Sequence, residues 1–183
     1  MDSKEGLELV KRYVEDKKII KHLIASGKAM EKLAQKKGED KELWKLAGIL
    51  HDIDYGMTTY LGKPDQHGIL GAKMLEKMGL EHSITSAIIA HTGSVERKTL
   101  LDKALFIVDP LTRLIIKATL AHPSKKIREV DVSYVIKCLD KIDFASEKDL
   151  KHINSCERLG LSLEEVVEIT LKGMQEISEE LDL

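Results

Sequence analysis

Apolar residues recur along most of the chain at the three- and four-residue spacing of amphipathic α-helices. In the last such segment, Leu163, Val167, Thr170, Leu171 and Met174 form one stripe, which we expect to pack into the core. The pattern predicts helices over residues 7–16, 18–37, 40–52, 67–78, 83–91, 100–120 and 130–139, with a final helix after Ser162.

Polar and helix-breaking residues predict where these helices begin and end. The segment 54–66 contains two glycines and a proline and is predicted to be a loop. Pro110 lies inside the segment 100–120, so we expect a kink or a break there. Ser146 and Ser162 are each followed three residues later by a carboxylate residue, which is typical of helix N-terminal caps.

The composition agrees with an all-α, single-domain protein. Hydrophobic residues make up 43% of the 183 residues, charged residues 33% and aromatic residues only 4%. The net charge of -2 gives no general argument for a nucleic acid or an anionic membrane as partner. The charged N-terminal segment is not a signal peptide, and no apolar run reaches the ~18 residues of a membrane span. We therefore expect a cytoplasmic protein.

Four histidines occupy positions that the helical pattern places in the interior: His22, His51, His67 and His91. They are embedded among apolar residues, as in IIKHLIA, AGILHDI and AIIAHTG. A buried imidazole needs a polar partner, because an unpaired polar group in the interior is costly. Four histidines on separate predicted helices are most simply satisfied if they share one partner.

Two aspartates accompany these histidines and indicate a metal ion as that partner. Asp52 directly follows His51, and Asp109 lies in the apolar run ALFIVDPL. Imidazole and carboxylate ligands together suit Mn, Fe, Co, Ni or Zn. Adjacent helical residues diverge by about 100°. His51 and Asp52 therefore share an ion only beyond the end of their helix, unless Asp52 bridges two ions. A hydrogen-bonded His/Asp network without metal is the alternative.

The order of these residues resembles the H…HD…H…H…D pattern of the HD superfamily of metal-dependent phosphohydrolases. KLAGILHDIDYG resembles the motif segment of that family, HGILGAKML its third-histidine helix and AIIAHTG its fourth. The resemblance covers about residues 19–114. Helices in about 130–183 are expected to pack on this core, within one domain of 1–183. The later segments are similar to a small-protein branch of predicted hydrolases.

The resemblance implies a helical bundle and a set of six metal ligands. At the matching positions these are His22, His51, Asp52, His67, His91 and Asp109. Family members with both middle histidines tend to hold two ions bridged by the aspartate of the HD pair, which implies a dinuclear site here. Iron or manganese is the first expectation, with cobalt, nickel, zinc and magnesium as alternatives. Two such ions attract phosphate and lower the pKa of a bound water to near 7.

Several further residues are candidates for catalysis and substrate binding. Asp52 and Asp54 are the predicted catalytic carboxylates; Asp54 could exchange a proton with water or the leaving group, or only stabilise its loop. Arg113, one helical turn beyond the second aspartate, could bind phosphate or pair with a carboxylate. Lys73 and Thr92 are further candidates for substrate contacts. A lysine at such a position is more often an ordinary surface charge, and Thr92 could equally mark a helix terminus.

The expected substrate is a small phosphorylated molecule, such as a nucleotide or a dinucleoside polyphosphate. The symmetrical diadenosine tetraphosphate hydrolases are close in size and share the His-Thr pair at His91 and Thr92. Cyclic-dinucleotide phosphodiesterases of the HD-GYP class instead have HDIGK where this chain has HDIDY. HD-type diiron oxygenases use the same ligand arrangement and are one alternative. A non-enzymatic nucleotide-binding regulator is another, and an oligomer is compatible with either.

The remaining histidines and the cysteines fall outside this set. His82, His122 and His152 lack matching partners in the sequence, so we expect them at the surface. Cys138 and Cys156 have no metal-ligand spacing and are expected to be inert buried thiols.

Overall fold

The structure, a computed structural model, describes residues 1–141 and 144–183. Within these ranges the chain forms eleven α-helices, three short 3₁₀ helices and no β-strand, which confirms the all-α fold class. The α-helices are α1 Ser3–Tyr13, α2 Lys17–Lys37, α3 Lys41–Leu50, α4 Tyr55–Tyr60, α5 Ile69–Lys77, α6 His82–Ala90, α7 Leu100–Ala121, α8 Val132–Leu139, α9 Glu147–Ile153, α10 Leu163–Glu176 and α11 Ser178–Leu181. The 3₁₀ helices are Pro64–Gln66, Ile127–Glu129 and Asn154–Leu159.

Several predicted helix termini are formed by the expected residues. Gly38 ends α2 with a left-handed φ of 71°, directly after the predicted end of this helix. Asp16, predicted as the last residue of the first helix, instead accepts a backbone N–H at the start of α2. Ser146 caps α9 through the backbone N–H three residues later. Ser162 and Glu165 form a reciprocal capping box at the start of α10. The local sequence signals therefore determine these helix ends.

Two predicted interruptions of the chain, a continuous loop over 54–66 and a break at Pro110, are not found. The predicted loop 54–66 contains α4 and a 3₁₀ helix. Helix α4 forms around buried Thr58, whose hydroxyl donates to the carbonyl oxygens of Asp54 and Tyr55. The predicted break at Pro110 does not occur, because α7 continues through it. A proline inside a helix costs about 3 kcal/mol. Here the residues on both sides are buried against other helices, and that packing offsets the cost.

Helices α2 and α3 approach closely because each has a glycine at their contact. A Cβ atom on Gly48 would lie 2.7 Å from the carbonyl oxygen of Ser26 and 2.8 Å from Cα of Gly27. The two backbones can touch only without side chains at these positions. His22 lies on α2 just before this contact, and His51 follows it at the end of α3. The close approach therefore brings the two histidines together.

Helix α2 packs against helices from the N-terminal, middle and C-terminal parts of the chain, namely α3, α7 and α10. Helix α10 packs on α2 and α8, while α9 packs on α7. The predicted stripe on α10 is a core face, with Val167 and Met174 fully buried. Cys138 and Cys156 are buried free thiols, as expected. Among the described residues, no helix is both long and apolar enough to cross a membrane.

Candidate metal centre

The structure brings together all six residues that the sequence predicts as metal ligands. They form two groups that have Asp52 in common, and the ligand atoms of each group lie within 4.8 Å of one another. The first group is His22, His51, Asp52 and Asp109, and the second is Asp52, His67 and His91. Five of the six side chains are buried, and His67 is half-buried.

Helix ends and one glycine turn position three of the histidines. His51 and His91 are the C-terminal cap residues of α3 and α6. His67 precedes α5, where Gly68 adopts a φ of 77° and a Cβ atom would lie 2.8 Å from the carbonyl oxygen of Ile88. The glycine lets this turn approach α6 closely. The imidazoles of His67 and His91 consequently lie 5.1 Å apart between centroids.

Imidazole nitrogens surround one oxygen of each aspartate. Oδ1 of Asp52 lies 3.1 Å from Nε2 of His67, 3.3 Å from Nε2 of His91 and 3.5 Å from Nε2 of His51. Within residues 1–141 and 144–183, this oxygen and Oδ1 of Asp109 are buried without a hydrogen-bond partner. Imidazole nitrogens and carboxylate oxygens that lie this close together without forming hydrogen bonds are suited to bind a common cation.

The outward nitrogen of each histidine has a partner of its own. Nδ1 of His51 bonds to the carbonyl oxygen of Gly48 at 2.8 Å, and Nδ1 of His91 bonds to that of Ile88. Only a protonated Nδ1 can donate to a carbonyl oxygen, so Nε2 keeps its lone pair in the neutral ring. These rings therefore present Nε2 to the centre as a ligand, in the tautomer that metal binding requires.

Nδ1 of His22 faces the hydroxyl of Thr112 at 3.2 Å. Thr112 donates its hydroxyl proton to the carbonyl oxygen of Asp109 at 3.1 Å, and its oxygen can then accept from a protonated Nδ1 of His22. Ser26 supplies a second hydroxyl at 3.1 Å. In that tautomer Nε2 of His22 carries a lone pair, only 3.2 Å from Nε2 of His51. Two facing lone pairs repel each other unless a cation or a proton lies between them.

Asp54 orients His67 from behind. It is fully buried, its Oδ1 accepts from Nδ1 of His67 at 2.8 Å, and its Oδ2 accepts from the backbone N–H of Gly71 at 2.8 Å. The carboxylate thus faces the far side of the imidazole rather than the cleft over the cluster. This placement does not favour the proton-transfer role predicted for Asp54, because both of its oxygens are engaged and shielded from water.

The charges of the cluster reinforce one another. Burial alone would raise the pKa of Asp52, but the neighbouring histidines, His51 first, hold it well below the usual range of a carboxyl group. The contacts with His22 and His51 and the charge of Arg113 likewise outweigh burial and hold the pKa of Asp109 well below its usual range. Burial lowers the pKa of His22, which favours its neutral form. Two anionic oxygens among imidazoles fit a divalent transition-metal ion.

His67 differs from the other histidines because each of its two ring nitrogens faces a carboxylate, Nε2 that of Asp52 and Nδ1 that of Asp54. Burial lowers the pKa of His67, but the interactions with Asp52 and Asp54 outweigh this effect and raise the pKa to about 10. Without a cation, a proton on Nε2 of His67 takes the place beside Asp52. Metal binding at this position therefore requires the loss of that proton.

Arg113 lies on the same face of α7 as Asp109, as predicted, because Pro110 does not interrupt the helix. Its Nη1 is 2.8 Å from Oδ1 of Asp109 and its Nη2 is 3.6 Å from Oδ1 of Asp149. The side chain is about half exposed, at 48%, and lines the cleft over the cluster. Arg113 is therefore both a partner of Asp109 and accessible from the cleft.

The other two predicted substrate contacts are placed differently. Thr92 lines the cleft, and its hydroxyl donates to the carbonyl oxygen of Ile89. Lys73 is exposed and does not belong to the lining of the cleft. Gly71, Ala72 and Leu75 form the buried face of α5, which leaves Lys73 on its outer face. The structure therefore does not bring Lys73 to the cluster.

His152 is a cleft residue that the sequence prediction placed at the surface. It is only 9% exposed, stacks on Phe106 with 3.7 Å between ring centroids, and lines the cleft with Thr92. In the sequence, His152 lies one helical turn after Asp149, so the two residues share a face of α9. Both line the cleft, and this spacing is the sequence feature that could have indicated the position of His152. By contrast, His82 is exposed, as predicted, and His122 is half-buried beside Tyr134.

The all-α fold and its cluster of four histidines and two aspartates place this chain in a class of helical proteins with a candidate metal site in the interior. The HD domain matches residues 19–144, so this chain belongs to the HD domain family. Members of this family are generally metal-dependent hydrolases. The family match includes all six residues of the cluster.

The chain is also similar to individual proteins. It is 32% identical over 82 residues to ribonuclease Y of Clostridium perfringens and 30% identical over 81 residues to ribonuclease Y of Fusobacterium nucleatum. These matches cover 45% and 44% of this chain, but only 16% of each ribonuclease. An uncharacterized protein of Methanocaldococcus jannaschii is 25% identical over 150 residues, which cover 77% of this chain and 86% of that protein.

Proposed function

We propose that this protein is a phosphohydrolase that uses two divalent metal ions. The observation that carries the proposal is the arrangement of two donor groups around one shared carboxylate, Asp52. The first ion would be held by His22, His51, Asp52 and Asp109, and the second by Asp52, His67 and His91. Iron or manganese suits the mixture of imidazole and carboxylate ligands.

Two such ions, when bound, supply a water of lowered pKa and stabilise the negative charge of phosphoryl transfer. Two divalent ions carry +4 against the two carboxylates, so the centre keeps a positive charge that attracts phosphate. Asp54 keeps Nε2 of His67 directed at the centre, and Thr112 does the same for His22. Arg113 orients Asp109 and offers its exposed edge to a substrate phosphate.

We further propose a nucleotide or a dinucleoside polyphosphate as the substrate. Arg113 and Thr92 line a cleft of about 440 Å³ above the cluster, a size typical of sites for small ligands. RNA is the second candidate, because the chain is similar to a part of ribonuclease Y. Nucleotides and RNA strands differ in length, so a hydrolysis screen that contains both kinds of substrate distinguishes the two candidates.

The test is purification without chelator, followed by metal analysis and a screen of phosphate monoesters, nucleotides and oligoribonucleotides. We expect bound metal and turnover in the wild type, and loss of both in His51→Ala. His82→Ala, which removes an exposed histidine outside the cluster, is the matched control and should change neither. A metal-free protein, or a His51→Ala variant with full activity, would refute the proposal. Consumption of O₂ by the iron-loaded protein would instead identify an oxygenase.

A further inference from the structure

A second pocket continues the cleft over the metal centre. The cleft and this pocket share Thr92, Gly93, Lys148 and His152 as lining residues. The pocket extends between the start of α7, helix α9 and the 3₁₀ helix Asn154–Leu159. We call it the basic pocket, because four cationic side chains line it: Arg97, Lys148, Lys151 and Arg158.

The cations of the basic pocket are available to a ligand. None of the four forms an ion pair within the described ranges, and Glu147 is the single carboxylate among the lining residues. The guanidinium of Arg97 lies 4.3 Å from the ring centroid of Phe106 and bonds to the carbonyl oxygen of Val95, so its position is set. The basic pocket is therefore locally positive, although the whole chain has a net charge of -2.

His152 stands at the junction of the cleft and the basic pocket. Its side chain is nine-tenths buried, yet neither ring nitrogen has a hydrogen-bond partner in the part of the chain that the structure describes. Stacking on Phe106 fixes the ring plane. Neither nitrogen is among the fully enclosed unpaired atoms of the described residues, so both are open to the cleft, and a ligand passing from the cleft into the pocket can hydrogen-bond to them.

We infer that the basic pocket binds a second phosphate group of the substrate whose first phosphate reacts at the metal centre. This inference rests on the proposed function and narrows it to small molecules with at least two phosphates, such as nucleoside polyphosphates. His152 contacts the bridging part of the molecule, while Lys148, Lys151 and Arg158 contact the outer phosphate. Arginine and lysine are the side chains that bind phosphate most strongly.

The distribution of charge favours a small molecule over an RNA strand. A strand would leave the metal centre in two directions and would need cations along both. The part of the cleft that lies outside the basic pocket is bordered by Tyr55, Pro64 and Asp65. The one arginine or lysine among its described lining residues, Arg113, lies beside the metal centre and is paired with Asp109 and Asp149. Asp65 would repel a backbone phosphate there, whereas a terminal polyphosphate group needs only the one basic pocket.

The test compares two double variants that remove the same charge from the full-length, metal-loaded protein. Lys151→Ala/Arg158→Ala empties the basic pocket, and Lys73→Ala/Lys77→Ala removes two exposed lysines of α5. Affinities for inorganic phosphate and for tripolyphosphate are measured by calorimetry. We expect the pocket variant to bind tripolyphosphate about 10-fold more weakly, or worse, with unchanged phosphate binding. The control variant should bind both as the wild type does.

Other outcomes overturn the inference. An equal loss of tripolyphosphate affinity in both double variants would show that only overall charge matters. Unchanged tripolyphosphate affinity in Lys151→Ala/Arg158→Ala would show that the pocket does not bind this ligand. Binding of a single-stranded oligoribonucleotide that depends on Lys151 and Arg158, without tripolyphosphate binding, would assign the pocket to RNA. His152→Phe, which keeps the stacking but removes the nitrogens, should also weaken tripolyphosphate binding.

Failure of the proposed function is a separate result. It appears as absent hydrolysis of every phosphate ester and nucleotide in the screen by the metal-loaded wild-type protein, whatever the affinity for tripolyphosphate. Hydrolysis that His51→Ala abolishes, together with tripolyphosphate binding that is insensitive to the pocket variant, would retain the function and reject the second phosphate site.

Discussion

The carboxylate of Asp54 binds Nδ1 of His67 at 2.8 Å, on the side of the ring opposite to Asp52. This hydrogen bond determines which nitrogen of His67 faces the metal centre, and the Gly71 N–H fixes the carboxylate in turn. Partners of this kind orient metal-binding histidines and increase their basicity. Asp54 is therefore a positioning residue, although it lies only two residues from the central aspartate.

We expect Asp54→Asn to lower metal affinity by about 10- to 100-fold without unfolding the protein, because such partners typically have effects of that size. An asparagine can accept from only one of its two donors, His67 or Gly71. The affinity is measured by competition with a chelator, and circular dichroism reports the fold. Asp65→Asn, on the exposed segment nearby, is the control. Wild-type affinity in Asp54→Asn would contradict the positioning role.

The shared position of Asp52 predicts a difference in metal stoichiometry. Asp52→Asn should lose both ions, because the residue belongs to both donor groups, whereas His91→Ala should lose only the ion of the second group. The metal content per chain, measured by mass spectrometry after gel filtration, distinguishes the variants. One ion per chain in the wild type would show that only a single group binds metal.

Thr112 links the stability of the fold to the metal centre. Its hydroxyl contacts Ser26, His22 and the carbonyl oxygen of Asp109, and it is fully buried. Thr112→Val should reduce the free energy of unfolding by about 1–3 kcal/mol, because polar groups are left unsatisfied, and should also weaken metal binding. Urea denaturation and metal titration measure the two effects.

A second threonine of α7 provides the control for that variant. Thr119 is also fully buried, but its hydroxyl donates only to the carbonyl oxygen of Ile115. Thr119→Val should change stability and leave metal affinity intact. Equal metal affinity in the two valine variants would show that Thr112 has no specific role at the centre.

The raised pKa of His67 makes metal binding depend on pH. At neutral pH the metal-free protein holds a proton on this imidazole, since its pKa is about 10. The ion needs the unprotonated Nε2, so binding should release a proton and become tighter as pH rises. Calorimetry in two buffers with different ionisation enthalpies measures the release. Identical heats in both buffers would contradict the prediction.

The same pKa predicts how the stability of the metal-free protein changes in alkaline solution. The pKa of folded His67 lies above its ordinary value of 6.5, so its contribution to stability is complete below about pH 6.5. The contribution is lost as the pH rises through about 10. Thermal denaturation in chelator between pH 7 and 10 should therefore show a larger decrease for the wild type than for His67→Gln.

The sequence predicts what short-range patterns encode. Gly38 and Ser162 mark helix ends through local hydrogen bonds, and these predictions are confirmed. The order of His22 and the other five cluster residues indicates the centre, and the structure brings them together. The break that Pro110 favours locally does not occur, because the burial of α7 on several helices overrides that preference.

Residue roles that depend on tertiary neighbours were not accessible from the sequence. His152 resembles a surface residue between lysine and isoleucine, and only the stacking on Phe106 makes it part of the cleft. Lys73 follows the third histidine closely in sequence but points outwards from α5. Asp54 could be assigned as a positioning residue only once its partners, Gly71 and His67, were known.

The hydrogen bond by which Asp54 holds His67 depends on the absence of a side chain at residue 71. A Cβ atom on Gly71 would lie 3.2 Å from Cγ and 3.3 Å from Oδ2 of Asp54, tighter than ordinary packing. A single methyl group there would press on the carboxylate that holds His67, although residue 71 touches neither ion nor substrate. Under the proposed function, we therefore expect variation at this glycine to lower activity as the loss of a ligand would, although all six predicted ligands are intact.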